Sequence, residues 1–187
     1  MKTNDEILKI KATALYILKS FTDGVDFIKL FKIMYFAQQE NLVKYGRPIF
    51  NDTFHALKHG PVPTFLYKCI QALEGRGVQM DVSDMFNKAL KVQEAKVFLL
   101  EEPDTDELSK AELRILDNAV NKYKDIPSYT LSGKSHDKAW REAYTRAQDD
   151  PEKDRISLIE IARAGNANND IVKYIREKEQ LKRTLTL

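Results

Sequence analysis

The 187 residues suit one ordinary domain with a real core, and 43% hydrophobic against 31% charged residues exclude a disordered chain. Thirty Lys and Arg against 28 Asp and Glu leave +2, too small a surplus to argue for electrostatic capture by nucleic acid or an anionic membrane. The single cysteine, Cys69, excludes an internal disulfide framework and a multi-cysteine zinc site, and it fits a reducing compartment.

MKTNDEILKI places acids before its apolar residues and is not read as a secretory signal. No stretch approaches the roughly 20 apolar residues that span a bilayer. The cytoplasm is the expected compartment. Thr3 and Glu6 form a capping box for a first helix carrying Ile7, Ile10, Ala14, Ile17 and Phe21 at helical spacing up to Asp23-Gly24. Residues 25–45 predict a second helix whose apolar arc, from Phe27 to Ala37, exceeds half the circumference, the mark of a central helix. Lys29, Lys32 and Glu40 are expected on its outer side. Phe36 and Val43 stand among them as a stripe covered by another part of the chain or offered to a partner.

Gly46 and Pro48 end that helix, and residues 49–58 read as extended or partly strand-like. Gly60-Pro61 turns the chain, and Pro63 suits the first turn of a helix carrying Leu66, Ile70 and Leu73 until Gly75-Arg76-Gly77. Residues 78–102 are looser, with KVFLLEE from Lys96 as the best strand. The acidic EEPDTDE is a solvated loop leading to a second capping box, Ser109 with Glu112, and a helix with Leu113, Leu116 and Val120 inward before Pro127. LSGKSHDKAWREAY reads as a loop in which Ser135 or Asp137 caps a short helix bearing Trp140 and Tyr144. After Asp149-Asp150-Pro151, residues 156–161 and 171–181 predict two further short helices separated by GNANND. The expected fold is mainly α with a small β element, an α+β domain built around the helix near residues 25–45.

Chemistry is hard to place. His55, His59 and His136 are the metal-ligand candidates, but Ala56 and Leu57 stand where a His-Glu-x-x-His motif needs its glutamate. No metal and no cofactor are expected, and a metal-dependent hydrolase remains only as an alternative. Cys69 reads as a core thiol. Gly75-Arg76-Gly77 lacks a P-loop's Gly-Lys-Ser/Thr ending. The separation of Tyr45 from Pro63 is too long for a helix-turn-helix, and no clustered basic face marks a transcriptional regulator. Nucleic acid and membrane are therefore not expected as partners, and the chain is not expected to be an enzyme.

The ordered set IKLFKIMYFAQQENLVKYGRPIF, FHALKHGPVPTFLY and LSGKSHDKAWREAY resembles the Panacea domain, also called the SocA-like antitoxin domain, found in phage-associated GepA-type proteins. The resemblance covers residues 8–144. Its most specific piece is Ala56-Leu57-Lys58-His59-Gly60-Pro61-Val62 with Leu66-Tyr67 behind it, supported by His136 and Trp140. It implies the antitoxin half of a toxin-antitoxin system, neutralising a cognate toxin by direct binding. The toxins in such pairs include relatives of alarmone synthetases. In one branch it implies an adaptor that delivers the toxin to a protease. No catalytic residue is carried over.

On this reading residues 1–149 are the antitoxin domain and 150–187 a C-terminal helical extension that wraps the toxin or packs back on the domain. Phe36, Val43, Phe54, His59, Pro61, Tyr67, His136 and Trp140 are the candidate toxin-binding or motif residues, with Phe65 as a further aromatic near the turn. The same motif has a bracing role open to it, with Gly60 permitting a tight turn and His136 and Trp140 packed beneath.

Overall fold

A computed structural model describes residues 2–76 and 83–185 of the chain. In chain order it places α1 (Asn4–Leu18), β1 (Val25–Asp26), α2 (Phe27–Tyr45), β2 (Phe54–Leu57), β3 (Gly60–Pro63), α3 (Thr64–Leu73), α4 (Ser83–Ala89), β4 (Leu90–Gln93) and β5 (Lys96–Leu99). There follow α5 (Lys110–Tyr123), α6 (Ser128–Lys134), α7 (Lys138–Asp149), β6 (Arg155–Ile156), α8 (Leu158–Ala164) and α9 (Asn169–Leu185). The fold is mainly α with two small antiparallel sheets, ordered β1-β5-β4 and β3-β2-β6. Gly77 and the start of the looser stretch at 78–82 lie outside the described residues. No helix of the described residues is long and apolar enough to cross a membrane.

Both capping boxes read from the sequence form. Thr3 with Glu6 opens α1, and Ser109 with Glu112 opens α5. A third, Ser157 with Glu160, opens α8. Between α1 and α2, Val25 and Asp26 pair with Val97 and Lys96 of β5, so α2 begins only at Phe27, with the Asp26 carboxylate accepting from Lys29 N. The helix ends at Gly46, whose φ of 62° is left-handed and whose missing side chain leaves room for the Tyr174 ring of α9.

Every residue from Leu30 to Tyr35 is buried, so α2 is packed around its whole circumference, against α1, α5, α6, α8 and β3. Its polar members survive there by gripping main chain. Gln38 donates Nε2 to Phe50 O at 3.0 Å and accepts from Ile49 N at 2.8 Å, and Asn41 Nδ2 donates to Arg47 O at 2.7 Å. The Gln38 amide, with both ends satisfied, costs little to bury, while Asn41 Oδ1 is buried with no hydrogen-bond partner among the described residues. Both side chains tie the segment after α2 to the helix it leaves.

Several elements differ from the sequence reading. Strand structure in 49–58 is confined to β2. Pro63 ends β3 as the residue before α3, not inside its first turn. The first N–H groups of α3 are instead received by Asp52, whose carboxylate accepts from Phe65 N and Leu66 N at 3.0 Å each. Residues 128–134 are helical because Pro127 precedes a first turn, where proline tolerates a helix start. Arg155–Ile156 is a strand paired with β2, and helix α8 starts two residues later than expected. Lys32, expected on the outer side of α2, is 1% exposed.

Candidate functional site

The stretch FHALKHGPVP folds as the β2–β3 hairpin, with Phe54 opposite Pro63, His55 opposite Val62, Ala56 opposite Pro61 and Leu57 opposite Gly60. Lys58 and His59 form the two-residue turn and are exposed. Gly60 has φ 98°, and a side chain there would collide with Ser135 Oγ and stand 2.9 Å from Lys32 Cε, so glycine is required twice over.

Three alternate carbonyls of this hairpin are each taken by a side chain from a different helix. Trp140 Nε1 of α7 donates to Leu57 O at 2.9 Å, Ser132 Oγ of α6 donates to His59 O at 2.9 Å, and Lys32 Nζ of α2 donates to Pro61 O at 2.7 Å. The tip is thus held from three sides. Asp137 fixes the support beneath: its Oδ2 accepts from Tyr35 O–H at 2.8 Å and Gln39 Nε2 at 2.9 Å, while Oδ1 caps α7 by accepting from Trp140 N at 3.0 Å. His136, Trp140 and Tyr144 stack in series, with centroids 3.7 Å and 4.7 Å apart. Ser135, the alternative cap for α7, instead donates to Ser132 O.

Electrostatics follow from burial. Desolvation pulls the Lys32 ammonium down to about 7, and its only hydrogen bond among the described residues is to a carbonyl. His136 is held below the ordinary imidazole value by desolvation and by the nearby charges of Lys32 and His59. Its Nε2 is buried with no hydrogen-bond partner among the described residues. The corner thus holds two groups biased toward the neutral form.

The candidate residues divide accordingly. Pro61, His136 and Trp140 are parts of the brace, and His59 is at the exposed tip. Phe54 is 1% exposed, edge-on to Tyr35 and tilted against Phe50, so its ring lies in the core and not on the surface. Tyr67 and Phe65 are half-buried, Tyr67 against Phe27 and Phe31, Phe65 against Phe86 and under Lys2 Nζ. Phe36 stacks on Tyr123 of α5 at 4.5 Å, and Val43 lies against Gly165 at the end of α8. That stripe is therefore covered by the chain itself, at one end by α5 and at the other by the C-terminal helices.

The three histidines do not converge. His55 Nδ1 lies 2.6 Å from Asp154 Oδ1 beside β6, while His59 is in the turn, so their i, i+4 spacing does not place them on one strand. Among the described residues no three His, Cys, Asp or Glu side chains are grouped to hold a metal ion.

Lys32, Ser132, Tyr35 and Gln39 escaped the sequence reading. The signal for Lys32 was available in the width of α2's apolar arc: a helix apolar over more than half its circumference buries part of its polar side too.

A family profile for the SocA-like antitoxin, Panacea domain, matches residues 30–141, more than half of the chain. No significant match was found among curated proteins or among solved structures. The matched span contains Lys32, the whole hairpin, Ser132 and Trp140, every side chain that grips the tip, and the chain belongs to the SocA-like antitoxin family through its Panacea domain.

Proposed function

We propose that the protein neutralises a cognate toxin by direct protein–protein binding, in the cytoplasm and without catalysis. Family membership supports an antitoxin role. The observation that carries the finer reading is the brace itself: the motif's Lys32, Ser132 and Trp140 serve main-chain carbonyls, and what they hold out to solvent is the turn at Leu57, Lys58 and His59. A surface ordered before contact loses little conformational entropy on docking, which favours tight association. Co-expression with the product of the adjacent reading frame is expected to relieve its toxicity and to yield a stable complex in which that product keeps its mass. Relief without association, or with a covalent change in the toxin, would overturn direct blocking. Relief accompanied by protease-dependent loss of the toxin would assign the adaptor role instead.

A further inference from the structure

No basic run stands in the sequence, but folding gathers cations at one corner. Lys58 and His59 are exposed in the hairpin turn, Lys134 ends α6, and Lys138 and Arg141 are exposed on the first turn of α7. Their elements converge because Ser132 and Trp140, from α6 and α7, hold the carbonyls on either side of Lys58. From residue 128 to residue 142 the only carboxylates are Asp137 and Glu142. Asp137 is spent on Tyr35, Gln39 and Trp140 N, which leaves Glu142, 3.7 Å from Lys138, as the one exposed acid within that stretch. That stretch sets Lys134, Lys138 and Arg141 against a single exposed carboxylate, and the turn adds Lys58, on a chain whose total is +2.

Apolar surface sits at the same place. Among the described residues five large hydrophobics are exposed, and two of them, Leu57 at 37% and Tyr129 at 81%, belong here, Tyr129 one turn along α6 from Ser132.

We infer that this corner is the face on which the partner protein docks, and that the partner presents a carboxylate-rich surface with an apolar seat for Leu57 and Tyr129. The inference rests on the antitoxin reading and adds to it the face used and the chemistry of what it meets. Clustered charge of one sign raises the encounter rate with an oppositely charged surface. A tyrosine, large and with few rotatable bonds, is well suited to anchor such a contact once docked.

The test uses the full chain, purified, with the product of the adjacent reading frame as probe. Lys58→Glu with Lys134→Glu is one variant, Tyr129→Ala a second, and Lys173→Glu with Arg176→Glu, on exposed positions of α9, the control. Melting curves matching the unaltered chain are expected for all three, since every altered side chain is exposed.

The charge reversal is expected to weaken the complex by at least about tenfold, mainly through slower association, and to flatten the loss of affinity with rising salt. Tyr129→Ala is expected to weaken it chiefly through faster dissociation, with the control unchanged. Should the reversal fail to fold, Tyr129→Ala decides alone. Unchanged binding in the folded corner variants would overturn the inference while leaving the antitoxin reading intact. A complex kept by the reversal, with retention of duplex DNA lost by it, would also overturn it by assigning the corner to nucleic acid. No complex with the unaltered chain would remove both readings.

Discussion

Lys32 carries an ionisable group into the interior, where its ammonium donates to Pro61 O and meets no carboxylate among the described residues. Its value falls from 10.5 to about 7 because burial disfavours the charged form. Between about pH 7 and its unfolded value, the unfolded chain therefore binds a proton that the folded chain does not. Stability rises with pH across that window. Cys69 works in the opposite direction, since burial pushes its thiol from 9.0 up to about 12, but only above its unfolded value. The interval from about pH 7 to 9 thus belongs to Lys32. Urea denaturation is expected to show stability climbing over that interval in the unaltered protein and climbing less in Lys32→Met, which keeps the stem and removes the charge. Equal slopes in the two proteins would show that Lys32 stays protonated in its site.

Helix α2 works as an element by fastening the loops around it. Lys32, Gln38 and Asn41 hold main chain at Pro61, at Ile49 and Phe50, and at Arg47. The helix thereby sets the position of both the hairpin and the segment that leads to it. Phe36 closes one side through its stack on Tyr123, and Val43 the other through Gly165. Phe36→Ala is accordingly expected to destabilise the isolated protein by roughly 2 kcal/mol, below the cost for a fully buried phenylalanine because the ring is half-buried. A lowered melting temperature with toxin neutralisation kept checks this. Normal stability with lost neutralisation would place the ring in the interface instead.

At the scale of the whole molecule, the family match ends at residue 141 but the packing does not. Ile156 pairs opposite Phe54, Asp154 O accepts from Ala56 N at 2.8 Å, and Ile161, Ala162 and Ile175 belong to the same core as α2. Without the segment after Asp149 the hairpin loses its third strand, and α2 loses the cover that α8 and α9 provide. A chain ending at Asp149 is expected to lose its cooperative melting transition and to become sensitive to protease. A sharp transition at the full-length temperature would show that these residues only decorate a self-sufficient domain.

Local signals were legible where cause and effect lie within a few residues. The capping boxes at Thr3 and Ser109, the stop at Gly46, the strand at Lys96 and the central place of α2 all follow from side chains that act on their own turn or face, so the sequence by itself determined the helical class and its axis. It also carried the ordered motifs of the family, because a motif is read by position. The burial of Lys32, the pairing of β6 with β2, the separation of His55 from His59 and the gathering of Lys58, Lys134, Lys138 and Arg141 were decided only by the tertiary structure. Apart from the histidines, which a local turn separates, each joins side chains or strands to groups tens of residues away, and no periodicity records which distant carbonyl a lysine will find or which remote helices a turn will stand beside.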